Sequence, residues 1–205
     1  MPVLIDGQWR QSEAAGTFTA FNPATTQPLP DVYPISSLAD VTAACDAGHR
    51  AVVALRGMPD AADRTATFLD AYASGLEAAA DALVDIAHQE TAYPVTPRLR
   101  SVELPRTTSQ LRQGAAAARA RSWCKATIDT ALNIRSMHAP LGGVVVVFGP
   151  NNFPFAFGSI SGGDFAAAIA AGNPVIAKAN SSHPATTRLF AEEAQAAAGQ
   201  TQMPP

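Results

Sequence analysis

Short runs of alternating apolar and polar residues open the chain and predict β-strands. Val3-Leu4-Ile5 followed by Asp6-Gly7 predicts a hairpin, because Asp-Gly suits a two-residue turn. A second short strand is expected at 17–21, where Asn22-Pro23 closes it. Residues 28–34 are rich in proline and are expected to be extended, since a residue that precedes proline avoids helical geometry.

From residue 37 to residue 121 the apolar residues recur with the spacing of amphipathic helices. The segment from Ser37 to Asp40 fits a capping box, in which a serine and an acid three residues later satisfy free backbone N–H groups. Pro105 is either a kink within a helix or a false boundary. Four helices are predicted, which begin near residues 37, 60, 76 and 98; the third ends near 87 and the fourth near 121.

After Trp123 the pattern changes to that of strands. Residues 127–129 and 133–137 alternate apolar and polar positions, which predicts half-buried strands. Continuous apolar strands joined by a helix then predict a parallel sheet that is covered on both faces. Its elements are expected at 143–148 (strand), 163–171 (helix), 175–179 (strand) and from His183-Pro184 to Gly199 (helix).

The composition is that of a globular protein, with 47% hydrophobic and 15% charged residues among 205. A net charge of −3 gives no reason to expect nucleic acid or an anionic membrane as a partner. The sequence has no apolar run long enough to span a membrane, and its first residues do not form a signal peptide. Cys45 and Cys124 lack metal or redox spacing, so a cytoplasmic chain with reduced thiols is expected.

The loop that follows the first parallel strand is a candidate site, because ligands of open α/β sheets bind at the carboxyl ends of the strands. Asn152 in this loop has two interpretations. Asparagine beside proline is common in turns. Alternatively, its carboxamide donates a hydrogen bond to a developing alkoxide, as an oxyanion-hole group does.

Lys178, at the end of the second parallel strand, is either a solvated lysine or a donor to a nucleotide ribose or phosphate. Neither GxGxxG after the first of these strands nor GxxxxGK[ST] anywhere is present. The four histidines have no ligand spacing, so no metal site is expected. Cys124 has no neighbouring group that would activate it as a nucleophile.

The order of motifs around Asn152 resembles that of a known family. The chain carries "APLGGVVVVFGPNNFPFAF…AAAIAAGNPVIAKANSSHP". This segment is similar to the NAD(P)-dependent aldehyde dehydrogenase superfamily, whose amino-terminal half has a strand, Pro-x-Asn-Phe-Pro, a helix ending in Ala-Ala-Gly-Asn and a strand ending in Lys. The resemblance covers essentially the whole chain, through "LIDGQWR", "FNPAT", "HQETAYP" and "ELPRTTSQLR".

A finer resemblance is to the branch that oxidises α-ketoglutarate semialdehyde (2,5-dioxopentanoate). The chain keeps that branch's Gly162-Gly163-Asp164 and His183-Pro184, and it has Asn180 where the branch often has His. The resemblance implies an aldehyde as the small-molecule substrate and a homodimer or homotetramer as the assembly.

The family resemblance also implies roles for individual residues. Asn152 would be the oxyanion-hole amide, and Lys178 would bind the adenosine ribose beside Asn180. Ser181 falls where NAD-preferring members often carry Glu, which tilts the cofactor from NAD toward NADP or dual use. The nicotinamide side of the cofactor cleft would be lined by Phe148, Gly149, Pro150 and Asn151.

The implied fold is α/β, the amino-terminal part of an aldehyde-dehydrogenase-like fold with helices and an incomplete Rossmann-like parallel sheet. Residues 1–122 would form the first strands and helices of the cofactor domain, 123–138 a strand excursion of oligomerisation type, and 139–205 the first βαβα part of the NAD(P)-binding domain.

The resemblance also predicts what the chain lacks. The family's nucleophilic cysteine and general-base glutamate lie in the half that would follow Pro205, so the catalytic domain is expected to be absent. A truncated fragment without turnover is therefore expected, although the full-length form would oxidise an aldehyde. The alternative is a non-catalytic module for dinucleotide binding or assembly.

Overall fold

The computed structural model describes residues 1–204 and contains eight strands and six α-helices in that range. The strands are β1 (Val3–Ile5), β2 (Gln8–Arg10), β3 (Ala14–Asn22), β4 (Gln27–Ser36), β5 (Thr127–Asp129), β6 (Ile134–Ser136), β7 (Val145–Phe148) and β8 (Val175–Lys178). The helices are α1 (Leu38–Gly57), α2 (Ala61–Ala78), α3 (Ala80–Thr91), α4 (Leu104–Ala120), α5 (Gly163–Ala170) and α6 (Pro184–Thr201).

The predicted amino-terminal hairpin is confirmed. β1 and β2 pair antiparallel with Ile5 opposite Gln8, and both turn residues, Asp6 and Gly7, have positive φ angles of 56° and 68°. Two positive φ angles are what a two-residue hairpin turn of the primed type requires, and Asp-Gly supplies them at low steric cost. The longer strands β3 and β4 pair in a second antiparallel hairpin.

The predicted capping box at the start of α1 is wrong. Ser37 is the N-cap, but its hydroxyl makes no capping bond and lies buried without a partner among the described residues. The buried Asp40 carboxylate accepts hydrogen bonds from Ser12 Oγ (2.5 Å) and Arg10 Nη2 (3.3 Å) instead. These bonds lower the pKa of Asp40. The acid therefore ties the segment after β2 to α1, because partners distant in sequence replace the local one.

Several helix boundaries also differ from the prediction, and α3 runs on to Thr91 rather than ending near 87. Leu76 belongs to α2 rather than to the third helix, because the chain bends at Ala79 (ψ 11°) and so turns both Leu76 and Leu83 into the core. α6 continues past Gly199 to Thr201, and the next residue, Gln202, has a φ of 55° that provides the left-handed termination expected from glycine.

Pro105 lies in the first turn of α4 and is a false boundary, because Glu103 and Leu104 before it keep right-handed helical geometry and the helical path continues across it. The segment Val95–Glu103 before it forms wide turns, and the N–H of Leu104 bonds to the carbonyl of Leu99, five residues back. Proline has no N–H to donate, so the preceding turn widens without losing a bond at that position.

The core lies where α2 packs against α4, α5 and α6. Tyr72 of α2 is fully buried, and its hydroxyl lies 3.1 Å from the carbonyl oxygens of both Ile160 and Phe190. Its ring meets the edge of Phe165 at 6.0 Å. Tyr72 therefore connects α2 to α5, to α6 and to the loop that contains Ile160.

The predicted parallel pair is confirmed, with β7 and β8 aligned from Val145 opposite Val175 to Phe148 opposite Lys178. The prediction that both faces of the sheet are covered is wrong. Val147 is buried, whereas Val146 and Phe148 on the other face of β7 are 47% and 71% exposed. This second face of β7 is therefore open to solvent at Phe148 and partly open at Val146.

The hairpin of β5 and β6 is more exposed than the predicted half-buried strands. Ile128 is 72% and Ile134 48% exposed, because these strands pair only with each other within residues 1–204. None of the helices in the described part of the chain is long and apolar enough to span a membrane.

Replacing Tyr72 tests the core. Tyr72→Phe keeps the ring but removes the one hydroxyl hydrogen that the carbonyls of Ile160 and Phe190 share, so the free energy of unfolding should fall by about 1–2 kcal/mol. The measurement is urea unfolding followed by circular dichroism. Tyr93→Phe is the control, because the Tyr93 hydroxyl makes no hydrogen bond to residues 1–204 and its loss should cost less than about 0.5 kcal/mol. Equal effects of the two variants would contradict the proposed role of Tyr72.

Candidate functional site

The loops after β7 and β8 lie side by side, because Phe148 and Lys178 are neighbours at the carboxyl ends of the two strands. Asn180 joins the loops: its Nδ2 donates to the carbonyl of Gly149 at 3.0 Å. Its Oδ1 accepts from the N–H of Ser182 at 2.9 Å, which fixes the amide's orientation. The predicted site residues of the two loops are thus brought together.

His183 provides a second link between the same loops. It is buried at the amino terminus of α6, and its Nε2 lies 3.4 Å from the carbonyl oxygen of Pro150. Burial lowers the pKa of His183, so the neutral ring, with its hydrogen on Nε2, donates to this carbonyl. Nδ1 has no partner among the described residues.

The loop that carries Asn152 is held by a fully buried carboxylate. Oε2 of Glu103 accepts from the N–H groups of Phe155 (3.0 Å) and Ala156 (3.3 Å). Oε1 of Glu103 accepts from Arg98 Nε at 2.7 Å. Both carboxylate oxygens are therefore paired, as a buried charge requires.

Arg98 extends this network to Asn152 itself. Its Nη2 donates to the backbone carbonyl of Asn152 at 2.7 Å. The guanidinium carbon lies 4.3 Å from the ring centroid of Phe153 and 5.0 Å from that of Tyr93. Two aromatic contacts and two charge-assisted hydrogen bonds fix the position of the guanidinium group.

The side chain of Asn152, in contrast, is exposed and makes no hydrogen bond to any residue from 1 to 204. Its backbone is fixed by Arg98 while its carboxamide remains available to a ligand. A turn-forming asparagine usually bonds its own backbone two residues on, as Asn180 does with Ser182. Asn152 does not, which favours the interpretation as a donor.

Gly149 allows the loop to pass close to the start of the next segment. A Cβ at this position would lie 2.5 Å from the backbone nitrogen of Ser159, so any other residue would force the backbone apart. This close approach fixes the position from which the segment of Pro150, Asn151 and Asn152 starts.

The remaining predicted cofactor residues are open to solvent. Phe148, Lys178 and Ser181 are exposed, and Lys178 makes no ion pair or side-chain hydrogen bond within the described chain. Asn151 and Ser181 share the lining of a cleft of about 400 Å³ that Phe21 and Tyr93 also line. An uncompensated lysine, an exposed aromatic ring and hydroxyl groups suit a dinucleotide, which offers phosphate, ribose and flat bases.

Glu90 is a buried acid whose role the sequence interpretation missed. Its carboxylate accepts from the N–H groups of Ala185 and Thr186 (both 2.8 Å) and from Thr186 Oγ1 (2.7 Å) at the start of α6. Burial raises the pKa of Glu90, against the opposing effect of these hydrogen bonds. Glu90 thereby anchors the helix that follows the Lys178–His183 loop.

Glu103 and Arg98 were also missed, although a signal for Glu103 exists in the sequence. Leu99, Glu103, Thr107 and Leu111 recur every four residues and form one buried stripe. An acid on such a stripe must have a partner in the interior. A search for carboxylates on apolar faces would have found it.

In residues 1–204 no three metal-ligating side chains converge. Both cysteines are free and half-buried.

The chain is similar in sequence to known proteins of one family. The aldehyde dehydrogenase family profile matches residues 9–204. α-Ketoglutaric semialdehyde dehydrogenase 2 of Azospirillum brasilense is 41% identical, over 98% of this chain and 39% of its own length. The α-ketoglutaric semialdehyde dehydrogenase of Acinetobacter baylyi is 37% identical, over 92% of this chain and 36% of its own length.

A solved structure has the same architecture. Succinate-semialdehyde dehydrogenase from Burkholderia pseudomallei matches with a TM-score of 0.81 and 25% identity, over 96% of this chain and 39% of that one. The chain thus spans about two fifths of the length of these relatives. The predicted family resemblance and the α/β fold with an incomplete parallel sheet are confirmed. The chain belongs to the aldehyde dehydrogenase family.

Proposed function

We propose that the protein containing this chain oxidises an aldehyde to a carboxylate with NAD⁺ or NADP⁺ as the oxidant, and that its substrate is α-ketoglutarate semialdehyde. Membership of the family supports the reaction, and the 41% identical Azospirillum relative supports the substrate. The observation that carries the proposal is the free carboxamide of Asn152 on a loop that is fixed from two sides.

The reaction of such an enzyme begins with attack of a cysteine thiolate on the aldehyde carbon, and water later hydrolyses the thioester. The bound cofactor accepts the hydride. In this proposal the cysteine thiolate and the general base belong to a part of the protein that corresponds to the region of the relatives outside the match to these 205 residues. The residues of this chain bind, orient and stabilise.

Asn152 serves as the oxyanion donor. Attack on the aldehyde places negative charge on its oxygen, and the Nδ2 group of Asn152 donates a hydrogen bond to that oxygen. The bond from Arg98 to the Asn152 carbonyl and the bonds from Glu103 to the next turn keep the donor in place. Little reorganisation is then needed when the charge develops.

The cofactor is held by the two neighbouring loops. Phe148, Gly149, Pro150 and Asn151 lie on the nicotinamide side, and Lys178 and Ser181 lie at the adenosine ribose. Asn180 positions Gly149 instead of contacting the cofactor, because its Nδ2 and Oδ1 atoms already form hydrogen bonds within the protein. The exposed Lys178 and Ser181 remain free for ribose hydroxyls or a 2′-phosphate.

The domain proposal follows the family resemblance, and the assembly proposal rests on the exposure of apolar side chains to solvent. Residues 1–122 and 139–205 form the cofactor domain, and 123–138 form the excursion whose apolar side chains, such as Ile128 (72% exposed), are available to another subunit. A homodimer or homotetramer would cover them. Location in the cytoplasm stays a prediction.

Asn152→Ala tests the oxyanion role. In the protein containing this chain, kcat should fall on the order of 10²–10³-fold, the usual effect of removing one such donor. Cofactor affinity should change little, since the backbone contact with Arg98 does not need the side chain. Steady-state kinetics and a cofactor-binding titration measure the two effects. A variant with nearly wild-type kcat would return Asn152 to a purely structural role in the turn.

Ser181→Glu tests the cofactor site. A carboxylate at 181 should oppose the 2′-phosphate, so the KM for NADP⁺ should rise about tenfold or more while the KM for NAD⁺ changes little. Ser181→Ala is the matched control, because it removes the hydroxyl without adding charge. The wild type should use NADP⁺ at least as well as NAD⁺. A strong wild-type preference for NAD⁺, or a Glu variant indifferent to the phosphate, would disprove the role of Ser181.

A further inference from the structure

Arg106 stands at the end of a row of side chains that starts at Asn152. Phe153 follows Asn152 in the chain, and its ring lies 5.1 Å from the ring of Phe157 in an edge-to-face arrangement. The guanidinium carbon of Arg106, in the first turn of α4, lies 4.8 Å from the Phe157 centroid. Two aromatic rings and a cation thus follow one another, beginning at the residue after Asn152.

The charge of Arg106 is not neutralised by the protein. Among residues 1–204 its guanidinium makes no ion pair and no hydrogen bond, and the side chain is exposed. The arginines around it are paired: Arg98 with Glu103 (2.7 Å), Arg100 with Asp81 (2.6 Å) and Arg112 with Glu77 (2.6 Å). The nearest buried acid, Glu103, is already satisfied by Arg98 and two backbone N–H groups.

We infer that Arg106 binds the distal carboxylate of the substrate and selects aldehydes that carry an acid group at the far end of a short chain. This inference rests on the proposed function, because Asn152 fixes the aldehyde end.

The chemistry suits a carboxylate rather than a neutral group. Guanidinium offers parallel N–H donors along its edge that match the two carboxylate oxygens, while its carbon stays over the ring of Phe157. The rings of Phe153 and Phe157 contact the methylene groups between the two ends. A neutral aldehyde of equal length makes the ring contacts but leaves the cation unpaired, so discrimination comes mainly from Arg106.

The test compares charged and neutral aldehydes in the protein containing this chain. Arg106→Gln should lower kcat/KM for α-ketoglutarate semialdehyde about 10- to 100-fold, the effect of one lost charge-assisted contact. The loss for pentanal should be far smaller, and Arg106→Lys should fall between the wild type and Arg106→Gln. Arg112→Gln is the matched control on the same helix, because Arg112 pairs with Glu77 and not with the loop; it should leave both values unchanged.

A binding measurement provides a readout that does not depend on turnover. 2-Oxoglutarate, the unreactive product, should bind more weakly to Arg106→Gln than to the wild type or Arg112→Gln when titrated calorimetrically. Urea unfolding of each variant checks that the fold is kept.

The outcomes separate the two claims. If Arg106→Gln lowers kcat/KM equally for both aldehydes, or leaves both unchanged, the role of Arg106 is overturned and aldehyde oxidation stands. If the wild type oxidises neither aldehyde with NAD⁺ or NADP⁺, the proposed function and this inference both fail.

Discussion

The Glu103 carboxylate, fully buried and bonded on both oxygens, fixes the loop on which the candidate site is built. A carboxylate in the interior is costly unless its partners are all in place, so the Phe155–Ala156 backbone and Arg98 have little freedom to move away from it. Arg98 passes this constraint to the carbonyl of Asn152. The backbone of the loop is therefore held in place, while the carboxamide of Asn152 makes no hydrogen bond within residues 1–204.

A second buried acid fixes the other loop by the same principle. Glu90 bonds the first N–H groups of α6, which are the groups of a helix that lack internal partners. Asn180 and His183 then connect the loop before α6 to Gly149 and Pro150. The two acids lie outside the loops they hold, so the side chains of Asn152, Lys178 and Ser181 are left exposed, as the proposed function requires.

The sequence predicted the elements whose causes are local. Asp6-Gly7 fixed a hairpin, and the apolar runs that became β7 and β8 gave their pairing and the loops that follow. It failed where distant partners decide: Asp40 bonds Ser12 instead of capping α1, and β7 is open on one face. The roles of Glu90, Arg98 and Glu103 were missed for the same reason, since a buried acid and its partners lie 5 to 96 residues apart in sequence.

Hydrogen exchange of individual amides in Glu103→Gln tests the central claim most directly. A glutamine at 103 keeps one acceptor oxygen but turns an NH₂ group toward a neighbour that also donates. The N–H groups of Phe155 and Ala156 should then exchange about tenfold faster or more, corresponding to the loss of about 1.4 kcal/mol. Amides in the core of α2 should change less, and Glu77→Gln, at an exposed ion pair, should leave the loop unchanged. Wild-type protection of Phe155 and Ala156 in Glu103→Gln would contradict the account.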